Sequence, residues 1–219
     1  MSDIIRKFSA NYLVTEYDNR SDWLKGRHNY LGASDAASVL GISPWMTNVQ
    51  LYENKVNPVV DENPPTDQML RGIKSESHIR ELYSIESGDD VEDGTGKVLV
   101  SLEHPFMSCT LDGACVDKNG KPYVLEIKSV NYSRNWANKN LPDHYFVQCL
   151  HQLAVTGWDK AVLVARIIMP ADGDVVTRKF EILYKENIGL IEALVEKERI
   201  FWHENVMKKI PPNRIMPTI

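Results

Sequence analysis

Apolar and polar positions follow three regimes along the chain. The first is helical. Trp23, Leu24, Arg27, Tyr30 and Leu31 recur at helical spacing over residues 20–30. Ser34 can cap a short helix that stops at Gly41, and Thr47 starts another, through about Lys55, after the turn Ser43-Pro44-Trp45. A linker with Pro58, Pro64 and Pro65 leads to a long helix over Asp67–Ser87, with Met69, Ile73, Ile79, Leu82 and Tyr83 among its apolar positions. The second regime is β-prone: short runs at Lys97–Leu102, Phe106–Thr110, Gly113–Val116 and Tyr123–Val130. Asp117-Lys118-Asn119-Gly120 marks a hairpin, because Asn-Gly supplies the positive-φ positions of a tight turn. The third regime alternates. A helix from Pro142 through Val155 ends at Gly157, strands Ala161–Ile168 and Val175–Leu183 flank the turn Pro170–Asp174, and an amphipathic helix from about Lys185 to Lys209 precedes a proline-rich tail. No repeat interrupts this order, which predicts one α+β domain over residues 1–219 with a mixed central sheet flanked by helices.

Composition narrows the classes. The 219 residues are 43% hydrophobic and 25% charged, near the average for a globular chain long enough to need no metal or disulfide staple. No apolar run approaches the ~18 residues of a membrane span, and the charge-interrupted N-terminus does not read as a secretory signal. Cys109, Cys115 and Cys149 are odd in number and lack zinc spacing, as expected of reduced thiols in a cytosolic protein; they are also too few for a four-cysteine iron–sulfur cluster. The net charge of −5 argues against indiscriminate coating of nucleic acid. It divides unevenly, −8 over residues 1–119 and +3 over residues 120–219, with ten carboxylates between Asp61 and Asp93. That cluster reads as a solvated face, or as the acidic exterior of a protein whose basic surface is confined to a cleft.

The hairpin carries the chemistry. It places Asp112 and Glu126 on adjacent antiparallel segments, and Glu126 and Lys128, two apart on a strand, project to one face. Two carboxylates and an ammonium at one end of a sheet suit a hard divalent cation such as Mg²⁺, able to polarise a phosphoryl oxygen and acidify water. Lys128 could orient or deprotonate that water. Glu53-Asn54-Lys55 repeats the Glu-x-Lys pair, but in a helical pattern where i and i+2 do not share a face. The plainer reading of residues 126–128 is a cross-strand ion pair. Glu76 on the long helix reads alone as a surface glutamate, and Gln148 as a core glutamine able to reach the site. HExxH, Walker, GxGxxG and GxSxG patterns do not occur.

Taken in order, these residues resemble the lambda-type phage exonucleases, YqaJ-like viral recombinases within the PD-(D/E)XK nuclease superfamily. The resemblance runs through Trp23…Arg27…Leu31-Gly-Ala-Ser34-Asp, Leu40-Gly-Ile-Ser-Pro-Trp45, Gly72…Glu76, His104-Pro-Phe…Thr110-Leu-Asp112-Gly, Leu125-Glu-Ile-Lys128 and Tyr145…Gln148 to Thr156-Gly157. Thr110-Leu111 stands where the family has Ser-Pro, and Ser129 follows the lysine where Thr/Cys-Pro is frequent. The resemblance implies a PD-(D/E)XK core and a 5′-to-3′ exonuclease on linear duplex DNA that leaves 3′ overhangs for recombination by strand annealing. It implies Mg²⁺, with Mn²⁺ able to substitute, on Asp112, Glu126 and the Ile127 carbonyl, with Glu76 helping through a second metal or a water. Lys128 and Gln148 would position the attacking water. Arg27, Ser34, Thr110 and Arg134 would bind the 5′-phosphate. Residues 1–66 would form a helical DNA-end-binding part, 67–184 the metal-binding core and 185–219 the terminal helix and tail. A homotrimeric ring, a single-strand annealing partner and a phage- or prophage-borne origin in a bacterial cytoplasm are further implications. The rival readings are a PD-(D/E)XK endonuclease, a Cas4/AddB-type nuclease, which the missing iron–sulfur cysteines disfavour, and an inactive DNA-binding relative.

Overall fold

The computed structural model describes residues 3–58, 67–170 and 173–216. The expected linker prolines Pro64 and Pro65, the acids Asp61 and Glu62, and two residues of the 170–174 turn lie outside them. In chain order the elements are α1 (Ile4–Lys7), β1 (Tyr12–Glu16), α2 (Arg20–Arg27), β2 (Leu31–Gly32), α3 (Ala36–Val39), α4 (Asn48–Val56), α5 (Asp67–Ser87), β3 (Asp90–Glu92), β4 (Lys97–Ser101), β5 (Met107–Cys109), β6 (Gly113–Val116), β7 (Pro122–Asn131), α6 (Asp143–Thr156), β8 (Lys160–Ile168), β9 (Val175–Leu183) and α7 (Ile188–Ile200), which continues as a π-turn over Phe201–Val206.

Local chemistry accounts for most boundaries. Thr47 caps α4 through its hydroxyl while Gln50 reaches back to the Thr47 N–H. Pro142 precedes α6, and Gly157 ends it at φ 65°. In the β6–β7 hairpin only Gly120 takes positive φ; the Asp117 carboxylate accepts the N–H groups of Asn119 and Lys121 and holds the turn.

The strands divide into two sheets where the sequence predicts one. β6 and β7 lie in a five-stranded sheet ordered β3-β6-β7-β8-β9, whereas β4 and β5 join β1 and β2 in a second sheet ordered β1-β4-β5-β2. The N-terminal part is therefore not all helical: it lends two strands to the second sheet, β1 pairing antiparallel with β4 and β2 parallel with β5. Nor does Ser34 cap a helix. It lies inside a 3-10 turn, Ala33–Asp35, where the Asp35 carboxylate accepts the Gly32 N–H. The last helix starts at Ile188, after the 3-10 turn Tyr184–Glu186, and its winding stops at Val206.

The larger sheet is covered on both faces. Leu125 and Ile127 of β7 pack with Ile79 and Tyr83 of α5. Val124 of β7, with Ala161 and Leu163 of β8, joins the other core with Cys149, Leu150 and Leu153 of α6, which also receives Leu99 and Met107 of the smaller sheet. β7 and β8 run parallel, so α6 is their crossover connection and the helix shared by both sheets. Between β3 and β4 the chain passes tightly over the residue before Asp112: a Cβ on Gly94 would lie 2.2 Å from the Leu111 carbonyl oxygen, an approach only glycine permits.

Candidate active site

The site forms where β6 begins, β7 passes its midpoint and α6 crosses. The hairpin register pairs Gly113 with Leu125, which brings Asp112 opposite Glu126. The Asp112 carboxylate accepts the Ile127 N–H at 2.7 Å. Glu126 is 2% exposed in an otherwise apolar stretch, a costly placement unless its oxygens are satisfied. They are. Oε1 accepts from Gln148 Nε2 at 2.6 Å and lies 2.6 Å from Lys128 Nζ, and Oε2 accepts from Gln152 Nε2 at 2.6 Å. Lys128 Nζ also stands 5.1 Å from the centroid of the Tyr145 ring.

The electrostatics follow from crowding. Burial lifts the Asp112 carboxyl well above its ordinary pKa; Glu126 and Glu76 add to this, against Lys128 and the Ile127 N–H. Burial likewise raises Glu76, with Glu126 reinforcing and Lys128 opposing, so Glu76 faces the same centre from α5. Burial alone would draw Lys128 down, but Glu126 and Asp112 outweigh it and hold the ammonium above the usual lysine range. Burial and Lys128 lower the pKa of His144, beside Tyr145, against the opposing pull of Asp143.

Among the described residues, no three His, Cys, Asp or Glu side chains converge as a metal cage. The donor set is nonetheless that of a hard cation: two mutually repelling carboxylates, the half-buried Asp112 and the buried Glu126, with the Ile127 main chain between them. Such a set fits Mg²⁺, which keeps several waters and takes one or two carboxylates.

The expected phosphate-binding residues fall into two groups. Arg27 Nη2 donates to Ser34 Oγ at 3.2 Å, its guanidinium lying 4.8 Å over the Trp23 ring. Thr110 precedes Asp112 by two residues, and Arg134 is exposed at the start of the 3-10 turn Arg134–Lys139. Among the described residues, neither is hydrogen-bonded to Arg27 or Ser34, so the four do not form one bonded cluster. Two residues escape sequence reasoning. Gln152, four after Gln148 and thus on the same helical face, completes the grip on Glu126. Lys55, of the helical Glu53-Asn54-Lys55 pair, donates to the Arg27 and Tyr30 carbonyls at 3.1 and 2.6 Å and pairs with Asp35 at 2.8 Å.

A mixed sheet with an Asp at one strand's entrance and Glu-x-Lys on its neighbour is the arrangement of a PD-(D/E)XK-like fold. The chain belongs to the YqaJ-like viral recombinase domain family, whose model matches residues 22–159. It is 26% identical over 193 residues to the uncharacterised protein YqaJ of Bacillus subtilis (strain 168), covering 86% of this chain and 57% of that protein. The chain thus spans little more than half the length of that curated relative. In fold it is similar to the alkaline exonuclease LHK-Exo from Laribacter hongkongensis, at 22% identity and TM-score 0.60, covering 87% of this chain and 94% of the other; the same enzyme in complex with dAMP gives 0.63 over the same shares. A phage-related exonuclease from Haemophilus somnus 129PT shares the fold at TM-score 0.51 and 11% identity, over 85% of this chain and 99% of that one.

Proposed function

We propose that the protein is a Mg²⁺-dependent exonuclease that degrades linear double-stranded DNA in the 5′-to-3′ direction and leaves 3′ overhangs for recombination by strand annealing. The observation that carries this reading is the convergence of Asp112, Glu126, Lys128 and Gln148 where β6 begins and β7 passes its midpoint. The carboxylates of Asp112 and Glu126 and the Ile127 carbonyl would hold the cation, with Glu76 contributing through a water or a second ion. When bound, it supplies Lewis-acid polarisation of the phosphoryl group and neutralises charge developing there. Lys128, kept protonated by its carboxylate neighbours, orients the attacking water with the Gln148 amide and stabilises the developing negative charge. Arg27, beside Ser34, offers a guanidinium fork to the terminal 5′-phosphate, with Thr110 and Arg134 completing the pocket once DNA is seated.

A chain of net charge −5 holds a polyanion poorly unless its basic groups line an enclosed channel. This favours the homotrimeric ring, and light scattering showing only 25 kDa monomers during processive digestion would contradict it. A single-strand annealing protein is the partner this reading assigns to the overhangs.

A linear duplex labelled on either 5′ or 3′ ends, incubated with Mg²⁺ or with EDTA, tests the reading. The 5′ label should leave first as mononucleotide, Mn²⁺ should replace Mg²⁺, and EDTA should stop the reaction. Cutting of a closed circle would instead support a PD-(D/E)XK endonuclease.

A further inference from the structure

Trp45 lies on the loop between α3 and α4 and is 69% exposed, yet it is held in place. Ser43 Oγ accepts the N–H groups of Trp45 and Met46, and the indole stands edge-on to His144 at 4.9 Å and tilted to Tyr145 at 6.0 Å. Tyr145 is also the ring beside the Lys128 ammonium, so a continuous aromatic step runs from the exposed indole to the candidate active site. Beyond His144 opens a cleft of about 430 Å³ lined by Ile42, Asn135, Asn140, Leu141, Asp143 and His144, together with Pro142. Its size is that of a small-ligand site. One wall belongs to the turn in which Asn138 and Lys139 both adopt left-handed backbone, at φ 54° and 60°, a conformation uncommon outside glycine and best tolerated by asparagine.

The lining selects the ligand. Among the described residues it contains no lysine or arginine, and the Asp143 carboxylate disfavours a phosphate. The amides of Asn135 and Asn140 can donate and accept, as the edge of a nucleobase requires. An exposed indole offers a base the sequence-tolerant stacking surface used by single-strand-binding proteins.

We propose that Trp45 is the stacking platform for an unpaired nucleobase of the strand being cut, next to the scissile phosphate, with the cleft beyond His144 receiving the base's edge. The proposal rests on the exonuclease reading and deepens it: the substrate's end is held frayed rather than paired.

The test uses a duplex with 2-aminopurine near its 5′ end and a distal dye for anisotropy, with Ca²⁺ in place of Mg²⁺ so that the strand stays intact. The wild-type protein should quench 2-aminopurine on binding. Trp45→Ala should abolish most of that quenching and weaken binding about tenfold or more, while Trp45→Phe should retain both. With Mg²⁺, Trp45→Ala should raise KM far more than it lowers kcat. Binding by anisotropy with no quenching, or with quenching equal in wild type and Trp45→Ala, overturns the platform and leaves the exonuclease reading standing. Failure of the wild type to bind any duplex end overturns that reading and the platform with it.

Discussion

Gln152 is wholly buried on α6, and its amide nitrogen lies 2.6 Å from Oε2 of Glu126, the carboxylate oxygen that neither Gln148 nor Lys128 reaches. The two glutamines grip the carboxylate from consecutive turns and fix its rotamer. Gln152→Leu keeps the volume but frees Oε2, and should lower cation affinity and turnover by roughly 10–100-fold, the range for residues that orient a metal ligand. Titration with Mn²⁺ followed by electron paramagnetic resonance checks this without reference to catalysis; unchanged affinity would refute it.

In the proposed mechanism Lys128 orients water and balances charge. Lys128→Ala should reduce strand degradation by about 10²–10⁴-fold, and Asp112→Ala and Glu126→Ala should abolish it. Near-normal turnover of Lys128→Ala would remove its assigned role. Circular dichroism should report a folded chain in each case.

Lys55 and Asp35 form a buried ion pair beneath the Arg27–Ser34 contact. Burial would raise the pKa of Asp35, but Lys55, Arg27 and the Gly32 N–H outweigh it and hold the carboxyl below the ordinary range. Lys55→Met strands that charge and releases the Arg27 and Tyr30 carbonyls, at a cost of about 3–5 kcal/mol. Urea denaturation measures the loss. Among molecules that remain folded, preference for 5′-phosphorylated over 5′-hydroxyl duplex should fall, as it should in Arg27→Ala. An unchanged preference in Arg27→Ala would separate that arginine from the phosphate.

His151 presents Nδ1 to both Glu198 oxygens, at 2.9 and 3.0 Å, and Nε2 to the Ser108 carbonyl at 2.9 Å, so both ring nitrogens face acceptors. Burial would lower its pKa, but Glu198 and the Ser108 carbonyl outweigh this and raise it. The stabilisation is therefore complete below the unfolded value of ~6.5 and is lost as pH rises through the higher folded value. The difference in Tm between wild type and Glu198→Gln should shrink from about pH 6 to about pH 9; a constant difference would rule out an imidazolium.

The hairpin and the Glu126–Lys128 pair were legible because their signals are local: Asn-Gly at the turn, and side chains two apart on a strand. Gln152 was missed because a glutamine among apolar neighbours declares its role only through its partner; the spacing from Gln148 was the available clue. The second sheet was missed because β1 and β4 are short and meet across a long stretch of chain, and no local pattern encodes that pairing. Lys55 was dismissed with Glu53, its near neighbour, when its partner was Asp35 on another element. The joining of Arg27 with Arg134 in one phosphate pocket was expected from likeness, and among the described residues no hydrogen bond links the two.

The crossover from β7 through α6 to β8 also orders the assembly of the site in time. Asp112 and Glu126 are brought together by a short hairpin, a contact that can close within microseconds. The glutamines that restrain Glu126 arrive only when α6 docks and β8 zips along β7, a non-local pairing that forms slowly. A chain still leaving the ribosome before α6 is made thus holds its carboxylates without their clamp. On the exonuclease reading, cleavage of DNA ends therefore awaits the completed crossover.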